Sequence, residues 1–309
     1  MLSKNYSAIE LTNPNYVPVI KDSDTFYGGS QMWFPADHWY SKDYIIHNYG
    51  CGTIATADLF LYLAQQKDAL KSPATEIAFR GSNQVNYDNY DPYVRTINDQ
   101  YTKTLRIIAV LGPKIASAIN TYANSYGFEF QAFWKLKLTY YDMLDIMEEM
   151  LLQDIPVILS IGPNTPNLWG KKGIPFYKIR EINYQESDLA PMENEEISKV
   201  IEPFETSEYE QPSENKESSV VKQPSNNKAP FVVNNPSEIK KPYYYKVSVQ
   251  TVNSHYVTVT GIIKDAVAGR IMLCISSWGQ QYYINYEEYR DYIDSTSGTY
   301  TSSIVQIKK

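Results

Sequence analysis

Residues 53–66 (TIATADLFLYLAQQ) decide most of what this chain can become, because they read as a helix that is apolar around most of its circumference. Such a helix needs protein on every side, so it belongs at the centre of a core. A chain of 309 residues is long enough to supply that cover. The elements expected around the helix fall into two groups. Between residues 93 and 154 the chain reads as mainly helical: Gly112-Pro113 opens one helix with proline in its first turn, Gly127 closes it, and Thr139 caps another over 140–152. Residues 128–138 alternate like a strand, and the apolar run 155–162 (IPVILSIG) reads as a buried strand. From Pro242 onward the runs YYYKVSVQTV, HYVTVTGII, RIMLCISSW and QYYINY read as strands separated by turns. The stretch 6–49 shows no clear periodicity and reads as loop or extended chain wrapping the core.

Between about 186 and 240, Glu, Ser, Asn, Pro and Lys displace the large apolar residues. A segment of that composition buries too little surface to offset the entropy of ordering, so it is expected to be a disordered insertion inside one domain. The order of elements then predicts an α+β fold. Its helical half covers about 28–154, its antiparallel sheet half covers 155–185 and 241–309, and the acidic insertion occupies 186–240.

Several functions are disfavoured. A net charge of −7 does not suit a phosphate backbone, so no nucleic-acid partner is expected, and much of the excess acid lies in the insertion. No apolar run reaches the roughly 18 residues that a membrane span requires. The N-terminus lacks the basic and apolar pattern of a secretory signal, and two cysteines suit a reducing compartment, so the expected location is cytoplasmic. The 28 tyrosines assign no ligand, since a drift toward Tyr and Asn codons produces the same excess as an aromatic binding surface. His38 and His47 lie near Asp37 and Asp43 but lack a third ligand at a recognisable spacing, and no glycine-rich phosphate loop is present. Neither a metal nor a cofactor is expected.

Chemistry concentrates at Cys51, in Asn48-Tyr49-Gly50-Cys51-Gly52-Thr53, directly ahead of the apolar helix. Unpaired N–H groups and partial positive charge at a helix start favour thiolate over thiol, and the flanking glycines leave space for a substrate carbonyl. A cysteine nucleophile needs a base. Of the three histidines, His255 opens an alternating strand after a turn, whereas His38 and His47 lie in the irregular N-terminal stretch.

Gly50-Cys51-Gly52-Thr53-Ile54-Ala55 leading into a helix, His255-Tyr256-Val257-Thr258-Val259-Thr260-Gly261 opening a strand, and Ser276-Ser277-Trp278-Gly279 ending one resemble the papain-like cysteine peptidases. The resemblance is closest to the bacterial branch that includes the bacteriocin-processing double-glycine peptidases. It covers roughly residues 28–293 without the insertion. It implies a papain-like fold with a cleft between the two halves, a Cys51 thiolate paired with a His255 imidazolium, and a peptide or protein substrate cleaved through a thioester. The family orients its histidine with Asn or Asp just ahead of Ser-Trp-Gly, where this chain has Ser276, a weaker and uncharged partner; Asp265 is an alternative that has to reach back from a turn. Trp278 is implied to shield the histidine from water. The family's oxyanion glutamine has no counterpart at the usual spacing, where Ile45 stands, which leaves Gln31, behind Gly28-Gly29, and Asn48 as alternatives, with Gln31 preferred. An acyltransferase or transglutaminase-like enzyme using the same pair, and a noncatalytic interaction module, are the competing functions. Cys274 is expected to pack in the sheet; substrate sequence and oligomeric state are not legible.

Overall fold

The computed structural model describes residues 6–80, 82, 84–162, 173–183, 240–246, 252–265, 269–296 and 303–308. The chain begins with β1 (Tyr6–Glu10), the hairpin β2 (Pro18–Lys21) and β3 (Asp24–Tyr27), then α1 (Lys42–Tyr49) and α2 (Cys51–Gln66). There follow α3 (Pro73–Phe79), β4 (Val85–Asn86), α4 (Tyr87–Ile97), α5 (Gly112–Tyr126), β5 (Gln131–Lys135), α6 (Tyr140–Leu152) and β6 (Val157–Ile161). The remainder comprises β7 (Tyr177–Asn183), β8 (Lys240–Lys246), β9 (His255–Asp265), β10 (Arg270–Ser277), β11 (Gln280–Asn285), α7 (Tyr286–Thr296) and β12 (Ser303–Lys308). Two compact units result, Met1–Ile179 with Tyr244–Lys309, and Arg180–Tyr243. Of the second unit, only the end of β7 and the start of β8 belong to the described residues; the segment read as a disordered insertion lies outside them, apart from Lys240.

The first unit is α+β, with a large antiparallel sheet running β5-β12-β6-β9-β10-β11-β7 and β1 beside β9. β9 is long enough to take two neighbours along one edge: β6 pairs with His255 to Val259 and β1 with Gly261 to Asp265. Thr260 is the extra residue between them, because β10 passes from Cys274↔Gly261 to Ile275↔Val259. β2, β3 and β4 form a separate small sheet.

α2 is buried from Cys51 through Ala64 and packs against β9, α4 and α5. Its buried threonines are provided for: Thr56 Oγ1 donates to the Gly52 carbonyl (2.7 Å), and Thr53 Oγ1 meets Thr102 and Thr104 (2.7 Å each). Phe60 stacks on Tyr122 with centroids 3.7 Å apart. Eleven of the 28 tyrosines are buried among the described residues. Tyr16, Tyr62, Tyr90, Tyr122, Tyr286 and Tyr289 are among the largest fully buried side chains. Each such ring withdraws about 150–250 Å² from water, worth about 4–6 kcal/mol on area alone. Apart from that of Tyr16, their hydroxyls find partners inside, as when Tyr289 donates to the Ser160 carbonyl (3.0 Å) and Tyr286 to that of Tyr140 (2.7 Å).

α5 starts at Gly112-Pro113 and ends at Gly127 with φ +69°, and α6 spans Tyr140–Leu152 with Thr139 Oγ1 accepting from Asp142 N, as the capping signals predict. The N-terminal stretch departs from expectation: it holds three strands, a short 3₁₀ turn (Gln31–Trp33) and α1, which Ser41 caps by accepting from Tyr44 N. The division into a helical first half and a sheet second half also fails. β5, inside the expected helical half, joins the large sheet by pairing with β12, and β1 from the N-terminal stretch joins it beside β9, whereas β6 lies in the sheet half as expected. Among the described residues no helix is long and apolar enough to cross a membrane.

Candidate functional site

α1 and α2 meet at Gly50, whose amide donates to the Ile46 carbonyl (2.8 Å) while its own carbonyl accepts from Ile54. A Cβ at Gly50 would lie 2.4 Å from the Ile46 carbonyl oxygen, so only glycine lets the two helices abut this tightly. This junction makes Cys51 the first residue of α2, where the leading N–H groups lack intrahelical acceptors.

Cys51 is 8% exposed and His255 9%, and both line one small cavity with Gln31, Asp58, Ser276 and Trp278. It encloses about 20 Å³, room for a single water. His255 opens β9 opposite Ile161, its Nε2 lies 2.9 Å from Ser277 Oγ, and its ring stacks on Trp278 with centroids 4.7 Å apart. Trp278 and Gly279 form the two-residue β10–β11 turn with φ of +50° and +75°. That conformation is unfavourable for tryptophan, and the ring is held between His255 and Phe176 (5.7 Å). Gln31 is buried, and its Nε2 donates to the His47 carbonyl (2.7 Å).

The structure thus brings Cys51, His255, Gln31, Ser276 and Trp278 to one cavity and places Asn48, Asp265 and Cys274 elsewhere. The hydroxyl beside the imidazole belongs to Ser277, not Ser276; Ser276 Oγ donates instead to the Tyr27 carbonyl (2.7 Å). Adjacent strand residues point to opposite sides, so only one of the two serines can meet His255. Replacing Ser276 with alanine should therefore act on the Tyr27 segment, lowering stability by about 1–2 kcal/mol in urea unfolding. Asn48 is exposed and donates to the Tyr44 carbonyl of its own helix (2.9 Å), away from the cavity. Asp265 sits at the far end of β9, 3.5 Å from Arg270 Nε. Cys274 is buried elsewhere in the sheet, its sulfur accepting from Gln281 Nε2 (2.9 Å) and Thr260 Oγ1 (3.3 Å). His47 Nδ1 donates to the Phe34 carbonyl (2.7 Å), and His38 lies 3.6 Å from Asp37. Among the described residues no cluster of three or more His, Cys, Asp or Glu is placed to hold a metal ion.

The electrostatics differ from the expected thiolate–imidazolium pair. Burial pushes the Cys51 thiol up, against backbone groups of Tyr256, Gly52 and Cys51 itself that act the other way. Burial alone pulls the His255 imidazole down to about 4. Desolvation in so small a cavity outweighs the helix start, and the pair is neutral in this closed form.

Asp58 is the residue that sequence reasoning missed. It is 2% exposed, two helical turns after Cys51 on the same face of α2, and its Oδ2 accepts from Gly29 N (2.8 Å) and its Oδ1 from the Tyr90 hydroxyl (2.6 Å). Burial raises its pKa to about 6 in spite of both donors. An isolated acid in an otherwise apolar helix was the available signal. Compared with family models, with curated proteins and with solved structures, the chain matches none of them.

Proposed function

We propose that this chain is a cysteine hydrolase of the papain-like kind, cleaving an amide or related acyl bond of a peptide or protein. The observation that carries the reading is the convergence of Cys51, His255 and Gln31, from three distant segments, on one cavity at a helix start. With Nε2 directed to Ser277, His255 Nδ1 is the nitrogen that takes the thiol proton. Cys51 Sγ then bonds to the substrate carbonyl carbon, and the displaced π pair becomes an oxyanion received by Gln31 Nε2 and the Cys51 amide. Collapse returns that pair and expels the amine, which takes its proton from His255. Water, deprotonated by His255, then cleaves the thioester and restores the thiol.

Because the closed cavity keeps thiol and imidazole neutral, substrate entry has to widen it before the proton moves. Labelling with a library of peptide vinyl sulfones should modify wild type at Cys51 and leave Cys51→Ala unmodified, with Cys274 unlabelled in both. A wild-type protein inert to the whole library would favour a noncatalytic interaction module, the reading that the small cavity and the neutral pair support. Product analysis with added amine separates hydrolysis from acyl transfer.

A further inference from the structure

The strap that carries Gln31 is fixed at every residue from Tyr27 onward. The Tyr27 amide donates to the Gly279 carbonyl (2.8 Å), and its carbonyl accepts from Ser276 Oγ (2.7 Å). The Gly28 amide donates to the Val17 carbonyl (2.8 Å), the Gly29 amide to Asp58 Oδ2 (2.8 Å), and Ser30 caps the 3₁₀ turn that begins with Gln31. The two glycines are steric requirements of this arrangement. Gly28 has φ +82°, and a Cβ there would lie 2.7 Å from Asp58 Oδ2; at Gly29 it would lie 1.7 Å from the Tyr90 hydroxyl. The strap presses directly onto the carboxylate and its tyrosine partner.

We infer that Asp58 is a positioning residue of the site: its buried carboxylate, clamped between the Tyr90 hydroxyl and the Gly29 amide, holds the strap that delivers Gln31 to Cys51. This rests on the hydrolase reading above. A carboxylate in an apolar helix is costly to bury, and its presence calls for a compensating role. Here the acid and the nucleophile share one face of one rigid helix, about 10 Å apart along its axis. The hydrogen bond from the Gly29 amide to Asp58 is the contact by which α2 itself helps set the register between sulfur and oxyanion donor. Oxyanion donors work only when held close to the position where charge develops, and a site fixed by its supporting contacts keeps that precision.

The test uses one peptide carrying two warheads. A peptide aldehyde is attacked by Cys51 Sγ at the carbonyl carbon, the π pair moving to oxygen, so its binding reads the oxyanion donor. The same peptide ending in a haloacetamide reacts by displacement of halide at a saturated carbon and forms no oxyanion. Asp58→Leu keeps the branching at Cγ but removes the acceptor; its aldehyde Kd should rise about tenfold to a hundredfold, within what one oxyanion donor is worth, with the haloacetamide rate near wild type. Asp58→Asn, which retains an acceptor for the Gly29 amide, should recover most of the loss. Tyr90→Phe, which frees the carboxylate to rotate, should show a smaller loss of the same selective kind, and it decides the matter if Asp58→Leu does not fold. A parallel fall with both warheads, or no change with either, overturns the positioning role. Wild type inert to both warheads overturns the hydrolase reading instead.

Discussion

Asp58→Asn should stabilise the protein by about 2–3 kcal/mol at pH 7.5 and by only a few tenths at pH 4, as read from urea unfolding at the two pH values. The sign follows from the direction of the shift. Asp58 titrates at about 6 in the folded chain, above its ordinary value of 3.8. Between those values the native state keeps a proton that the unfolded state has lost, so stability falls as pH rises through the window and stays lower above it. Asparagine has no charge to bury and escapes that penalty, while its carbonyl oxygen still receives the Gly29 amide. The wild-type acid is therefore a net burden on folding at neutral pH, in spite of its two donors. A residue that destabilises the fold while anchoring the strap beside a nucleophile is what the exchange of stability for a preorganised site looks like. If Asp58→Asn were as stable as wild type at both pH values, the carboxylate would not be held in the dry environment described here.

The parts legible in the sequence were those set by local chemistry. α5 and α6 begin and end where a proline in the first turn, a glycine C-cap and a capping threonine place them, because those groups act within a few residues. The apolar helix behind Cys51 and the start of β9 at His255 were legible for the same reason, whereas Trp278, read as the end of a strand, lies in the turn after β10. α7 was not: Tyr286, Tyr289 and Tyr292 look like strand residues until their hydroxyls are seen to reach carbonyls of α6 and the β6 region. The choice between Ser276 and Ser277 needed the register of β9 against β10, which the extra residue Thr260 offsets by one position. Gln31 could be suspected from Gly28-Gly29 ahead of it. What those glycines accommodate, the Tyr90 hydroxyl and the Asp58 carboxylate, comes from α4 and α2, and nothing local in the sequence links the three segments. The two segregated halves were an expectation of chain order alone, and pairing of β12 with β5 carries one strand of the helical half into the sheet.

The counterpart of the Asp58 effect lies across the same cavity, and it has the opposite slope. Burial pulls His255 down to about 4 from its ordinary 6.5, so between those values the unfolded state binds a proton that the native state refuses. Stability is complete above 6.5 and falls as pH drops toward 4, by about 3 kcal/mol at roughly 1.4 kcal/mol per unit. In wild type the two windows overlap, and the loss from His255 is largely offset by the gain from Asp58 as the solution is acidified. Each single variant exposes the slope of the residue it leaves behind. Asp58→Asn should lose about 3 kcal/mol between pH 6.5 and 4, and His255→Gln should gain about 2–3 kcal/mol relative to wild type over the same interval. The double variant should track wild type, since it lacks both terms. Urea unfolding of the four proteins at half-unit steps of pH separates these outcomes, and the rest of the titrating surface cancels in the differences. Coincident profiles for wild type and His255→Gln would mean that the imidazole is solvated at rest; the neutral, closed pair would then be wrong, and no widening of the cavity would be needed before proton transfer to His255.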